Sequence, residues 1–200
     1  SVRIPLGESV IVAGPSGSGK TTFLSLMGLL SRPSAGRITI LGRETTLLSE
    51  SLRTEVRRRH IGFTFQHFNL MGDLTVKENL DLVLYPDGVP LKKLVSRRQG
   101  LLERFSLLHK ADCRASVLSG GEKQRLAIAR SLMNDPEIIL VDEPTAHLDT
   151  ALSLDVIDLF RQLSREGKTL IIASHDPLVL DSRVASSVLY LRDGSVVGET

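Results

Sequence analysis

One glycine-rich stretch has the residue types and spacing of a loop that binds phosphate groups. GPSGSGKTT, residues 14–22, follows the pattern G-x-x-x-x-G-K-T between an apolar run and a helical pattern. Glycines let successive backbone N–H groups converge on phosphate oxygens, and the helix dipole adds to the attraction. Lys20 would neutralise the β- and γ-phosphates, and the Thr21 hydroxyl would bind Mg²⁺. The stretch therefore predicts a nucleoside triphosphate site rather than a merely flexible loop.

An acidic pair predicts the metal and water side of the same site. Four apolar residues, 138–141, precede Asp142 and Glu143. Neighbouring residues of a strand point to opposite sides, so the two carboxylates should serve different atoms. We expect Asp142 to hold Mg²⁺ from its outer sphere and Glu143 to polarise the attacking water. Without the phosphate loop, such a pair is equally typical of a solvated strand end.

Two further polar residues, Gln66 and His175, follow apolar runs. Gln66 could reach the metal or the attacking water, and His175 could bond the γ-phosphate. Taken singly, each is more typical of an ordinary strand end. Parallel strands place their carboxyl ends on one edge, where ligands bind in open α/β sheets. We therefore expect both residues to converge with the acidic pair.

The elements that would position these residues indicate an α/β fold. Short apolar runs alternate with helical patterns, which predicts a mostly parallel sheet covered on both faces. Between residues 75 and 134 only helical periodicity is present, broken at 85–90, which predicts a helical insert. The predicted buried strands are 9–14, 61–66, 137–143, 169–175 and 187–191, and the predicted peripheral strands are 36–42 and 193–197.

A second glycine pair, in LSGGEKQ, lies where another helix should begin. Ser119 and Glu122 form the capping-box pattern S-x-x-E for a helix expected to run to about residue 134. Capping does not explain Gly120 and Gly121, because glycine in a helix costs up to about 1 kcal/mol. Backbone exposed at the positive end of a helix dipole suits an anion. This second site has no lysine–threonine pair or acidic strand end of its own. We therefore expect a second copy of the chain to complete it, so that two chains enclose two ATP molecules.

The ordered motifs resemble those of the nucleotide-binding subunit of ATP-binding cassette (ABC) transporters over essentially the whole chain. They are GPSGSGKTT, Gln66, LSGGEKQ, ILVDEP, HLD and SHD. The resemblance implies a P-loop NTPase fold: a mostly parallel central sheet, small antiparallel β elements and a helical insert. It implies one domain, with a core at about 1–67 and 135–200 and a helical part at about 68–134. It also implies that the chain binds ATP and Mg²⁺, hydrolyses ATP, dimerises head to tail and drives integral membrane permease-type subunits from the cytoplasmic face of the cell membrane.

The same resemblance assigns roles to individual residues. Catalytic roles fall on Lys20, Gln66, Glu143 and His175, and metal binding falls on Thr21, Gln66 and Asp142. Asp149 would also communicate across the dimer. The implied nucleotide-binding residues are Gly14, Pro15, Ser16, Gly17, Ser18, Gly19, Lys20, Thr21, Thr22, Ser119, Gly120, Gly121, Gln124 and Asp149.

Residues 57–80, RRRHIGFTFQHFNLMGDLTVKENL, are most similar to the branch containing lipoprotein-release, macrolide-export and cell-division ATPases. That branch usually has glycine and asparagine where this chain has Ala146 and His147. The aromatic residue that stacks on adenine in the family would lie upstream of Ser1, so we expect the natural protein to begin earlier.

The segment HFNLMGDL, residues 67–74, is expected to line a groove for a short cytoplasmic helix of the membrane partner. Core packing would explain its three apolar residues Phe68, Leu70 and Leu74 equally well.

Composition narrows the alternatives. A net charge of +2 over 200 residues is too small to favour nucleic acid as the main partner. Cys113 is the only cysteine, so no internal disulfide forms, and a reduced, cytosolic compartment is favoured. A soluble ABC ATPase of DNA repair or translation remains an alternative, although two cassettes or long coiled-coil inserts are typical of those proteins. An ATP sensor that does not cleave ATP is a second alternative, disfavoured by Glu143 and His175.

Overall fold

Strands and helices alternate along the chain as the apolar runs predict. The structure, a computed structural model, describes the backbone of residues 1–200 and all side chains but those at positions 87 and 199. The strands are β1 (Ser9–Ala13), β2 (Thr39–Ile40), β3 (Arg43–Glu44), β4 (Ile61–Thr64), β5 (Ile138–Asp142), β6 (Thr169–Ser174), β7 (Ser187–Arg192) and β8 (Ser195–Glu199). The helices are α1 (Lys20–Met27), α2 (Glu50–His60), α3 (Val76–Leu84), α4 (Leu91–Arg104), α5 (Gly120–Ser131), α6 (Thr150–Arg165) and α7 (Pro177–Leu180).

The main sheet has the strand order β4-β5-β6-β1-β7-β8. Its first five strands pair in parallel, and β8 pairs antiparallel with β7. Strands β2 and β3 form a separate antiparallel pair. The predicted mostly parallel sheet with small antiparallel elements is therefore confirmed, and the carboxyl ends of β1, β4, β5 and β6 lie along one edge.

The central strands are buried on both faces because successive side chains enter two different cores. Ile11 and Ile139 face one core, whereas their neighbours Val12 and Leu140 face the other. The first core is completed mainly by α3, α4, α5 and α6, and the second by α1 and α2. Buried side chains from these helices include Leu80, Leu102, Leu126 and Phe160 in the first core and Leu24 and Val56 in the second.

The stretch predicted as a helical insert contains α3, α4 and α5, with one isolated antiparallel bridge between Thr75 and Arg114. Its buried side chains, such as Val76 and Leu132, belong to the same core cluster as Ile11 of β1. The division into a core at about 1–67 and 135–200 and a helical part at about 68–134 stays a prediction.

Several predicted boundaries differ in the structure, among them the ends of β4 and α5. Strand β4 ends at Thr64, so Gln66 lies in the loop beyond the strand. Helix α5 ends at Ser131 rather than near residue 134, because Leu132 caps it and the Asn134 side chain donates instead to the Arg58 carbonyl (2.6 Å). Across the described residues, no helix combines the length and apolar character required of a membrane span.

Candidate functional site

The loop between β1 and α1 has a backbone that only glycine can follow at its first position. Gly14 has a φ of 153°, and a Cβ there would lie 2.3 Å from the Leu191 carbonyl oxygen and 2.6 Å from the Ser18 Oγ. Gly17 and Gly19 have φ values of 78° and 101°, in the left-handed region that side chains disfavour. The glycines of the sequence motif therefore set the path of the predicted phosphate loop.

Helix α1 begins at the end of this loop, and the N–H groups of its first turn are available to bind an anion. Its N-cap is Gly19, and no side chain caps the helix, so the first N–H groups can donate to a phosphate. The Lys20 ammonium donates to the carbonyls of Gly14 (2.8 Å) and Pro15 (3.1 Å). The lysine therefore curls over the loop, where phosphate oxygens would lie.

The acidic pair after β5 divides as the strand geometry predicts. The Thr21 hydroxyl donates to Asp142 Oδ1 at 3.4 Å. Glu143 instead lies with its Oε1 3.3 Å from the Lys20 ammonium and 2.8 Å from His175 Nδ1. Glu143 has a left-handed φ of 44°, a conformation that side chains adopt at a cost and that is typical of functional sites. The two carboxylates thus serve different neighbours.

A polar cavity of about 260 Å³ joins the residues predicted to bind the triphosphate. Its volume suits phosphates and an ion rather than a whole nucleotide. Gln66, Glu143 and His175 enter it from the loops after β4, β5 and β6, so the structure brings these three predicted residues together. Asp142 is not among the lining residues and is joined to them through its hydrogen bond with Thr21. Its lining residues are Ser16, Gly17, Gly19, Lys20, Thr21, Thr22, Gln66, Glu143 and His175.

The donor atoms around this cavity fit Mg²⁺. A hydroxyl (Thr21), a carboxylate (Asp142) and an amide (Gln66) offer the hard oxygen ligands that Mg²⁺ takes, alongside phosphates and water. Burial raises the pKa of Asp142 above its ordinary value, while the hydrogen bond from Thr21 opposes that rise. A nearby divalent cation would favour the ionised form of the carboxylate.

The second predicted anion site lies at the start of α5, and its capping box is formed. The Ser119 Oγ accepts from the Glu122 N–H (3.3 Å), and the Glu122 carboxylate accepts from the Ser119 N–H (2.9 Å). Lys110 forms an ion pair with the same carboxylate at 2.5 Å. Since the Ser119 oxygen already accepts a hydrogen bond, its exposed hydroxyl remains able to donate to an anion.

Different physical reasons explain why glycine occupies the two positions after Ser119. A Cβ at Gly121 would lie 2.8 Å from the Leu152 side chain, so close packing of α5 against α6 already favours glycine there. Gly120 is exposed, and a Cβ there would meet only ordinary contacts, the nearest being the His147 carbonyl oxygen at 3.7 Å. Only Gly120 keeps the expected explanation of backbone left open for an anion.

Gln124, in the second turn of α5, is buried within the chain. It is 1% exposed, and its side-chain nitrogen is buried. Its assignment to the nucleotide stays a prediction.

Asp149 lies at the start of α6, close to the second site. It is exposed, and its Oδ1 accepts from the Leu152 N–H at 2.9 Å, which makes it the N-cap of that helix. Neither Asp149 nor the Ser119 group lines the cavity that holds Lys20 and Glu143. One chain thus presents two separate half-sites.

Sequence reasoning missed a set of hydrogen bonds that holds Glu143 in place. The Ser174 hydroxyl, buried at the end of β6, donates to Glu143 Oε2 (3.3 Å) and accepts from the Asp176 N–H (3.1 Å). The Thr145 hydroxyl donates to the Asp176 carboxylate (2.6 Å). These bonds join the loops after β5 and β6. The only signal in the sequence was the short polar residues that follow both strands.

Comparisons with known proteins identify the family to which this chain belongs. Residues 1–146 match the protein family described as ABC transporter. An uncharacterized ABC transporter ATP-binding protein of Thermotoga maritima is 43% identical over 192 residues, which cover 96% of this chain and 81% of the relative. The macrolide export ATP-binding/permease protein MacB of Sodalis glossinidius is 41% identical over 199 residues. The chain spans only 30% of that protein's length.

Solved structures give the same result. The ATP-binding cassette MJ0796, a dimer in a post-hydrolysis state bound to ADP and Pi, has a TM-score of 0.91 and 38% identity, covering 100% of this chain and 87% of that chain. The cbiO1 protein from Clostridium perfringens, part of an ABC transporter complex, has a TM-score of 0.89 and 28% identity, covering 99% of this chain and 78% of that chain. The chain is therefore an ATP-binding, ATP-hydrolysing member of the ABC transporter family.

Proposed function

We propose that two copies of this chain close head to tail around two MgATP molecules. The observation that carries the proposal is the separation of two half-sites on one chain. The cavity with Lys20 and Glu143 can hold a triphosphate, while the exposed Ser119 hydroxyl and Gly120 backbone can bind an anion but have no lysine–threonine pair of their own. The dimeric state of the solved MJ0796 cassette supports this arrangement. A facing copy would supply the second set of contacts to each ATP.

Hydrolysis would use the partners that Glu143 already has. Lys20 is shared between Glu143 and the loop carbonyls, so incoming phosphates would compete for the lysine and release the carboxylate to accept a proton from water. Ser174 and His175 would keep Glu143 in position through the change. With its Nδ1 proton donated to Glu143, His175 has Nε2 left for a second partner. Mg²⁺ bound through Thr21, Asp142 and Gln66 would offset the charge of the phosphates.

The role of Glu143 is tested by replacing its carboxylate with an amide of the same shape. We expect Glu143→Gln to bind MgATP as the wild type does and to lose about 10²- to 10⁴-fold in turnover, the contribution of a positioned general base. Because ATP would then remain uncleaved, the variant should elute as a dimer in ATP and as a monomer in ADP. Phosphate release and gel filtration measure both effects. Normal turnover would remove Glu143 from the mechanism, and a strictly monomeric ATP-bound variant would overturn the proposed dimer.

We further propose that the dimer drives an integral membrane subunit from the cytoplasmic face of the membrane. The permease in the name of the MacB relative supports this assignment. The relatives compared above carry transporter names, which supports transport over DNA repair or translation. The small net charge gives no support to a nucleic-acid partner.

The surface proposed for docking is segment 67–74 together with the cavities beside it. Leu70 packs against the core, whereas the neighbouring Met71 is exposed. One small cavity runs from Asn69 past Val83 to Asn134, which also lines a larger cavity of about 920 Å³. Five cationic residues and one acid line the larger cavity: Arg58, Arg59, Lys92, Lys93, Arg97 and Asp135. Arg59 and Arg97 already form ion pairs with Glu55 and Asp135. The exposed Lys92 and Lys93 suit a partner helix that has an apolar face and carboxylates at one end.

Docking is tested at the exposed Met71, because Phe68 and Leu70 contribute to packing within the chain. We expect Met71→Asp to reduce co-purification with the co-expressed membrane subunit by about 10-fold, the loss typical of an interface anchor, with MgATP binding unchanged. Leu47→Asp, which places the same charge at another exposed apolar residue, is the control. Undiminished co-purification of the Met71 variant would place the docking surface elsewhere.

A further inference from the structure

The turn that directly follows Gln66 has a backbone that its own residues do not favour. Phe68 and Asn69 are consecutive non-glycine residues in the left-handed region, with φ values of 60° and 49°. Within the turn, the Phe68 N–H donates to the Phe65 carbonyl (3.0 Å) and the Asn69 N–H donates to the His67 carbonyl (2.6 Å). Left-handed conformations cost free energy at each such residue and persist where neighbouring structure enforces them.

One side chain from α5 supplies that enforcement. The Arg130 guanidinium donates to the Phe68 carbonyl through one Nη (2.7 Å) and to the Asn69 carbonyl through the other. The two nitrogens of a planar, rigid fork thus bond the carbonyls of both left-handed residues. Burial lowers the pKa of Arg130. Its bond to the Phe68 carbonyl is partly buried, whereas its bond to the Asn69 carbonyl is exposed.

The other side of the turn is covered by the loop between β5 and α6. The His147 ring stacks on the His67 ring, with centroids 5.4 Å apart, and meets the Phe68 ring edge-on at 6.4 Å. His147 lies between Glu143 and Asp149 in the chain, and its carbonyl oxygen lies beside Gly120. The turn therefore touches both elements that carry the second half-site.

We propose that Arg130 is a positioning residue for Gln66. By holding the carbonyls of Phe68 and Asn69, it maintains the turn that directs Gln66 into the phosphate cavity. The same helix carries Ser119 at its other end, so the bond between Arg130 and the turn also links the position of Gln66 to that of the second half-site. The catalytic use of Gln66 in this inference rests on the proposed function above.

The inference is tested by titrating Mg²⁺ in ATPase assays of the full chain. We expect Arg130→Gln to raise the Mg²⁺ concentration for half-maximal turnover by about three- to ten-fold, the factor that corresponds to the net contribution of one ordinary hydrogen bond. Gln66→Ala should produce a similar rise, and the double variant should be no worse than Gln66→Ala alone. Arg130→Lys, which keeps one charged donor, should lie between Arg130→Gln and the wild type and guards against misfolding of the first variant.

Arg161 offers a matched control, because it donates two hydrogen bonds to the Ser182 carbonyl, through Nε (3.0 Å) and Nη2 (2.6 Å), outside the phosphate cavity. Arg161→Gln should reduce thermal stability without changing the Mg²⁺ requirement. An unchanged Mg²⁺ requirement in Arg130→Gln, or equal shifts in both arginine variants, would overturn the inference.

Hydrogen exchange of the Phe68 and Asn69 amides separates this inference from the role proposed for Gln66. If Gln66→Ala leaves the Mg²⁺ requirement unchanged, the proposed role of Gln66 fails. The exchange rates then test separately whether Arg130 holds the turn. Faster exchange at these amides in Arg130→Gln, but not in Arg161→Gln, would support the hold on the turn. Unchanged exchange would refute it.

Discussion

At position 14 the phosphate loop passes so close to β7 that a methyl group has no room. The nearest atom to a Cβ there is the Leu191 carbonyl oxygen, which belongs to the backbone of strand β7. A flexible side chain could turn aside, but a strand paired on both edges cannot shift without breaking its ladder. The loop must move instead, and the Lys20 bonds to its carbonyls would change with it.

We therefore expect Gly14→Ala to weaken MgATP binding by at least about 10-fold, since displacement of the loop misplaces several phosphate donors together. Gly17→Ala is the control, because its Cβ would meet no atom within 4 Å and only the left-handed φ is penalised. Nucleotide titration of both variants measures the difference. Equal affinities would show that crowding at Gly14 does not control the loop.

Helix α5 begins with a capping box whose acidic residue also forms an ion pair. Its Glu122 carboxylate bonds Lys110 and the Ser119 N–H, and these contacts lower the pKa of Glu122 to about 2. A carboxyl group whose pKa is lower in the folded state stabilises the fold above its unfolded pKa of 4.5. That stabilisation is lost as the pH falls towards the folded value.

We expect Glu122→Ala to reduce the free energy of unfolding at neutral pH by about 1 kcal/mol, as is typical of a lost helix cap. The difference from the wild type should shrink as the pH falls from about 4.5 towards 2, where the wild-type carboxylate also becomes protonated. Urea unfolding across this pH range measures it. Glu103→Ala, an exposed carboxylate in α4, should change stability by less than about 0.5 kcal/mol. A pH-independent difference would contradict the role of charge.

The strands and most helices could be predicted because their signals are local. Apolar runs marked β1, β5 and β6, and the S-x-x-E pattern placed the start of α5 at the residue where it begins. Gln66 was predicted at a strand end, but β4 stops two residues earlier, since strand ends depend on pairing with a neighbour. Sequence alone gives no register for that pairing.

In the candidate site, too, some features could be predicted from the sequence and others could not. The phosphate loop and the acidic pair follow from residue types at fixed spacing, and the structure brings them together. Gln124 was assigned to the nucleotide through resemblance, whereas its burial is decided by packing around α5. The contacts of Ser174 and Arg130 join residues far apart in the chain, so no local pattern reveals them.

At the scale of the whole molecule, the two half-sites make an assay of mixed variants informative. Lys20→Ala disables the phosphate loop. Ser119→Asp keeps a good helix cap but places a negative charge where the γ-phosphate would bind. Each variant alone should be inactive. Mixed in equal amounts, half of the dimers would pair one of each, and each mixed dimer would have one complete site.

We therefore expect the mixture to recover about a quarter of the wild-type ATPase rate per chain, for sites that act independently in a symmetric dimer. Phosphate release from the mixture measures the recovery, with each variant assayed alone at the same total concentration. No recovery, with both variants folded, would contradict the shared site. Strong activity of Ser119→Asp alone would also contradict it.

The hairpin of β7 and β8 supports the phosphate loop from behind. The Leu191 carbonyl packs against Gly14, and the Gly194 N–H donates to the Ser18 carbonyl at 3.0 Å. The loop is translated long before these residues are. A growing polypeptide on the ribosome consequently has no finished cradle for phosphate until the hairpin has emerged, so nucleotide can assist folding only after that point.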